Sequence, residues 1–193
     1  MVINRDLISI RDAQRREERS STVFYVVVIA LCAFILFTRL FWLYCVQVEG
    51  DSMNDTLQTG DYLVVDRLVK MDYGDVIVFE LKGKNYIKRV IAFGGDTVKI
   101  EDGRVFVKRE GQAQFNEVKY SEKGETKPSV FPAVGANEYL VPKDCVYVLG
   151  DNRENSTDSR VLNAIPCESV SGVVRQSVID NRNGFWGRFY RYV

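Results

Sequence analysis

The sequence predicts a mainly β fold, an all-β domain preceded by a single apolar helix, and three observations lead there. Residues 22–38 form a run of 17 without a charge. Beyond it, apolar residues come in short segments rich in Val, Ile, Phe and Tyr, bounded by Gly, Asp, Asn or Pro. Between two such segments stands Asp102-Gly103, a hairpin signal because a type I′ turn needs positive φ at both central residues.

Residues 1–21 mix Arg5, Arg11, Arg15, Arg16 and Arg19 with Asp6, Asp12, Glu17 and Glu18, the composition of a solvated tail. After Arg39 the apolar character resumes through Leu40, Phe41, Trp42, Leu43, Tyr44, Cys45 and Val46. Residues 22–46 are therefore assigned to one membrane-spanning helix. At about 1.5 Å per residue it would reach roughly 37 Å, against a hydrocarbon core of roughly 30 Å. Arg39 would snorkel to an interface, and Trp42 and Tyr44 fit the aromatic belt. A cleaved secretory leader would end in a small-residue site, which Gln47-Val48-Glu49 does not offer. Five arginines precede the run and only Arg39 follows before Arg67, so the N-terminus is expected in the cytoplasm and residues 47–193 outside.

Strands are expected over 62–65, 75–80, 86–93, 98–107 with its hairpin, 138–141, 146–149 and 172–179. Residues 109–137 are weakly patterned, with glycines and two prolines, which suggests a small lobe or excursion around 94–144. Cys32 and Cys45 fall in the apolar run and read as buried apolar side chains. Cys145 and Cys167 lie in the exported part; a disulfide requires that their Cβ atoms meet, which the sequence leaves open. The aromatic and arginine-rich stretch 185–193 suits either an interfacial membrane contact or a packed last strand.

The chain contains no histidine. That excludes a Ser-His-Asp hydrolase, because no imidazole can take the serine proton. A formal net charge of zero provides no field for nucleic acid, and zinc-ligand spacing and a Gly-rich phosphate loop are missing, so neither a metal nor a nucleotide cofactor is expected. Ser52, in Gly50-Asp51-Ser52-Met53, lies six residues past the apolar run, within roughly 22 Å of its end at about 3.3–3.6 Å per residue. If Ser52 is a nucleophile, Lys88 in Tyr86-Ile87-Lys88-Arg89-Val90 is the best candidate base, since a lysine kept neutral by burial can accept a proton. Arg89 cannot, because guanidinium keeps its proton.

Four segments in order resemble bacterial type I signal peptidases. Gly50 to Leu57 is similar to the family's serine motif, Gly60-Asp61-Tyr62-Leu63-Val64-Val65-Asp66 to the segment that follows, Tyr86 to Asp96 to the lysine motif, and Gly150 to Arg160 to the last. The resemblance implies an exported all-β catalytic domain that removes signal peptides from exported preproteins at the membrane; a monomer is expected. Ser52 would attack and Lys88 take the proton. Ser156 would hydrogen-bond the lysine amine, Asp158 and Arg160 would pair to brace the loop, and Asp151 with Asn152 would organise its turn. Val46, Val48, Met53, Leu57, Tyr86 and Ile87 would line shallow pockets for small residues before the cleavage site, with the substrate added as a strand.

Two positions depart from the family: Asp55 stands where proline is usual, and Gly50 where some members have a serine that helps bind the oxyanion. The Ser52 backbone N–H would then carry that task, with a second donor unidentified. Two other readings compete. One is a self-cleaving regulator, but the chain has no visible DNA-binding module. The other is a non-catalytic assembly factor or chaperone for surface proteins, against which the retention of Ser52 and Lys88 argues.

Overall fold

The computed structural model describes residues 21–37, 43–54, 56–120, 122–128, 138–180 and 184–185. The chain divides into two units, Met1–Trp42 and Leu43–Val193. Within the first, residues 21–37 are helical (α1), with Val23, Phe24, Ile29, Phe34 and Phe37 exposed. Among the described residues no helix is long and apolar enough to cross a membrane.

The expected helix over 22–46 is corrected at its C-terminal end. Leu43–Gln47 is a strand, β1, pairing antiparallel with β2 (Tyr62–Asp66). Hydropathy alone reads the stretch before Gln47 as a continuation of the apolar run, because a short apolar segment suits helix or strand equally. Packing decides it: Tyr44 and Val46 lie against a buried cluster while Cys45 and Gln47 face solvent, the period of two that a strand gives.

The main sheet continues through β3 (Val76–Leu81), β4 (Lys84–Phe93), β9 (Cys145–Leu149), β10 (Ile165–Pro166), β11 (Val170–Asp180) and β12 (Gly184–Phe185). Its order is β1-β2-β11-β3-β4-β9-β10, with β12 on β11. A second, four-stranded sheet is built from β5 (Thr97–Glu101), β6 (Arg104–Lys108), β7 (Asn116–Glu117) and β8 (Glu138–Leu140), in the order β7-β6-β5-β8. The stretch 98–107 is two strands joined at Asp102-Gly103, whose φ values of 49° and 74° supply the positive φ of the turn.

Both faces of the main sheet are covered. Val76 and Val78 face a cluster with Val48, Met53, Leu57, Leu63 and Val65. The alternate residues Ile77 and Phe79 face another with Val90, Val146, Val148 and Ile165. This is why β3 reads as a continuous apolar run. A third cluster joins Tyr147, Leu149 and Ile91 to Val98, Ile100, Val105 and Val107 of the second sheet. Each such side chain contributes about 1.5–3 kcal/mol on burial, so the strands that carry the site rest on a rigid base.

Cys145 and Cys167 are free thiols. They pack against different clusters, and burial raises the pKa of both.

Candidate active site

Ser52 sits on the turn that follows β1. Val48 closes β1 by bonding to Asp61 O (2.8 Å) and accepting from Gly60 N (2.9 Å), and Gly50 then turns the chain with φ of +85°. Met53 and Leu57, both just after Ser52, are 1% and 0% exposed, so the serine turn is fastened into the core. The last motif holds it from the other side. Asn152 donates its backbone N–H to Ser52 O and its side-chain amide to Asp51 O, each at 3.0 Å.

Lys88 comes from β4, opposite Ile77 of β3. Its side chain is bonded to Ser52 Oγ at 2.6 Å and to Ile87 O at 2.8 Å. The residue is 3% exposed. Burial lowers its pKa from 10.5 to about 8, opposed by the negative charges of Asp158 and Asp151; desolvation outweighs attraction. A neutral amine at the same separation accepts the hydroxyl proton instead of donating, so the heavy-atom arrangement serves both protonation states.

Beneath the pair lies a buried ionic network. Asp151 accepts from Arg89 Nε at 2.8 Å and Nη2 at 2.6 Å, and from Thr56 Oγ1 at 2.5 Å. Arg89 also donates to Gly74 O at 2.7 Å. Thr56 belongs to the serine motif and Arg89 adjoins Lys88, so one carboxylate ties together the elements that supply both groups. Asp158 accepts from Arg160 Nε and Nη2, each at 2.8 Å, and from Gly150 N at 3.0 Å. It also caps α2 (Ser159–Leu162) through the Arg160 N–H.

One role expected for Ser156 is corrected. Its Oγ is buried with no hydrogen-bond partner, and the lysine bonds to Ser52 and Ile87 instead. It is wedged over Gly150, where an added Cβ would lie 2.1 Å from Ser156 Oγ and 2.5 Å from Ser52 O. Gly150 is thus a site residue that the motif contained without a role, along with Arg89, Thr56 and Arg153. Arg153, 2% exposed, donates to Gly150 O at 3.0 Å and to Thr126 Oγ1 at 2.8 Å. It pins the motif to the segment around Lys123, which bonds to Asp151 O and accepts from Arg153 N. Only the carboxylate-and-arginine composition of these motifs signalled such braces.

The pair opens onto a groove of about 1020 Å³. Of the six residues expected in the pockets, Val46, Val48, Met53, Tyr86 and Ile87 line it, the first three from the β1 side and the last two from β4. Leu57 does not: it is fully buried in the core beneath the serine turn, because its helical-turn spacing from Met53 points it inward (Leu57 N–H to Met53 O, 2.8 Å). Val48 and Met53 are almost covered themselves, 2% and 1% exposed, and form the floor. Among the described residues, both walls carry strand edges without a strand partner. β1 ends the sheet, and since Val48 spends its backbone groups on Gly60 and Asp61, those of Gln47 and Glu49 turn the other way. β9 pairs with β4 only between Arg89 and Phe93, which leaves the outer edge of residues 84–88 without a strand partner among the described residues. Asp55 lies outside the described residues. Among those described, no group of three or more His, Cys, Asp or Glu is placed to hold a metal.

A mainly β domain that joins a serine hydroxyl to a buried lysine amine, in a chain without histidine, has the layout of a serine hydrolase with a lysine in the place of the usual base. The model of the family described as signal peptidase, peptidase S26, matches residues 20–179, and the chain belongs to that family. It is 31% identical over 162 residues to signal peptidase I U of Bacillus subtilis, covering 80% of this chain and 84% of that one. It is 36% identical over 143 residues to signal peptidase I P of Bacillus subtilis subsp. natto, covering 70% and 75%. A solved signal peptidase I from Enterococcus faecalis matches 54% of this chain and 97% of its own at 26% identity, with a TM-score of 0.43. The family sets the enzyme class, a serine endopeptidase of the signal peptidase I type.

Proposed function

We propose that this enzyme removes N-terminal signal peptides from exported preproteins with Ser52 as nucleophile and Lys88 as general base. The observation that carries the reading is the 2.6 Å contact between Lys88 Nζ and Ser52 Oγ at an amine whose burial holds its pKa to about 8. Neutral Lys88 takes the hydroxyl proton as Oγ adds to the scissile carbonyl, and gives it to the leaving amine as the acyl-enzyme forms. Water then attacks that ester with the lysine again as base. The Ser52 N–H serves the oxyanion. Asp158, Arg160 and Asp151 hold the loop against the serine turn, and Ser156 packs it.

The substrate enters as an added strand on the open edges of β1 and β4, satisfying its amides while small side chains meet the floor of Val48 and Met53. A shallow floor favours small residues by excluding larger ones. In this reading the apolar segment holds the protein in the cell membrane, as a monomer with its N-terminus in the cytoplasm. The groove then works on preproteins that are themselves held at the outer face. Ser52→Ala and Lys88→Ala should each lower processing of an exported preprotein in detergent or lipid by at least ~10³-fold. Normal cutting by either purified variant would overturn the assignment. A non-catalytic binding role predicts instead that Ser52 forms no covalent adduct with a mechanism-based acylating inhibitor.

A further inference from the structure

The two walls of the groove differ in charge along their length. Near the dyad the β1 side carries Glu49 and Asp51, both exposed. At the far end, the lining is Val46 and Gln47 on one side and Lys84 and Asn85 on the other. Lys84 is therefore the single ionisable residue of that end. It is exposed and makes no ion pair among the described residues. It stands four residues before Lys88 on β4, about 13 Å away at roughly 3.3 Å per residue. Alternation puts it on the same face as Lys88 and Tyr86, consistent with the Lys88 amine lying 6.0 Å from the Tyr86 ring.

A strand laid along the open edge of residues 84–88 advances at the same rise. With the residue before the scissile bond level with Lys88, the fifth residue upstream is level with Lys84. The lining extends this way, since Val46 and Gln47 on β1 and Lys84 and Asn85 on β4 precede Ser52 and Lys88 along the chain, while the last motif adds Asn155 and Thr157. We infer that Lys84 reads the charge of the substrate residue about five positions upstream of the cleaved bond, favouring an acidic side chain and disfavouring a basic one. This rests on the signal peptidase reading, with Ser52 marking the cut. It adds a charge preference to pockets that otherwise select for small size.

The test uses the full-length enzyme in detergent and three peptides that share Ala-X-Ala before the cut and differ only at the fifth position upstream, with Asp, Ala or Lys. Wild-type enzyme should cut the Asp peptide about three- to tenfold faster than the Lys peptide in kcat/KM at low ionic strength, the effect of one partly solvated charge pair. The preference should shrink towards unity near 1 M salt, where the screening length is about 3 Å. Lys84→Gln should remove it and Lys84→Glu should invert it. Because each preference is a ratio within one enzyme preparation, partial misfolding of a variant cancels. Equal ratios in wild type, Lys84→Gln and Lys84→Glu, or no ratio in wild type, would overturn the inference. Failure to cut any of the peptides, or cutting that survives Ser52→Ala, would instead count against the signal peptidase reading.

Discussion

At the level of single residues the proposed mechanism depends on the charge state of Lys88. Its pKa is lowered by burial to about 8, so the folded protein loses the proton before the unfolded chain does. Between about pH 8 and 10.5 the unfolded state binds more protons, and stability rises with pH across that window. Below it, the charged amine is held in a dry site at a cost on the order of 3 kcal/mol. Lys88→Met, similar in bulk and uncharged, should therefore be inactive yet more stable than wild type at pH 7, with the gain fading above pH 10; chemical denaturation at the two pH values measures it. Gly150 offers a second check. Its replacement by Ala sets a Cβ 2.1 Å from Ser156 Oγ and 2.5 Å from Ser52 O, and the backbone carbonyl of the nucleophile cannot give way freely. Gly150→Ala should lower kcat at least tenfold while costing about 1–3 kcal/mol of stability. Ser52 and Lys88 were both legible in the sequence, because the absence of histidine leaves few bases and their motifs are distinctive. The environment of Ser156 was not legible, since whether a hydroxyl meets an amine or a glycine is decided by loop closure over Gly150.

At the level of elements, the site is held by contacts far apart in sequence. Arg89 and Asp151 are both fully buried, and Thr56 joins them. Removing one member leaves a charge unpaired in the core, a loss of about 3–5 kcal/mol. Asp151→Asn should lower the thermal midpoint by several degrees, and Arg89→Met added to it should recover part of the loss rather than deepen it; scanning calorimetry of the two single variants and the double variant reads this coupling directly. Most strands were visible from alternation and turn residues, including the hairpin at Asp102-Gly103. β1 was missed for a physical reason: its apolar residues resume the preceding run after the single charge of Arg39, and only pairing with β2 and the burial of Tyr44 and Val46 separate strand from helix. The short strands β7, β10 and β12 have two residues each, too few for any period to register. The contact between Arg153 and Thr126, which fastens the segment near the second sheet to the last motif, joins residues 27 apart in sequence. No local pattern announces it.

For the whole molecule, the groove gathers Val48 and Met53, residues of β1 and β4, and the Ser52–Lys88 contact, and the proposed function requires the fold to hold Lys88 dry against Ser52. The most direct measurement of that claim is the pH dependence of kcat/KM for preprotein processing by the full-length enzyme. Since the reactive form carries a neutral lysine, log kcat/KM should climb with a slope near one from pH 6 and level off around pH 8, the value that burial gives the amine. A profile already flat across pH 6 to 8, or one unchanged in Lys88→Ala, would contradict it.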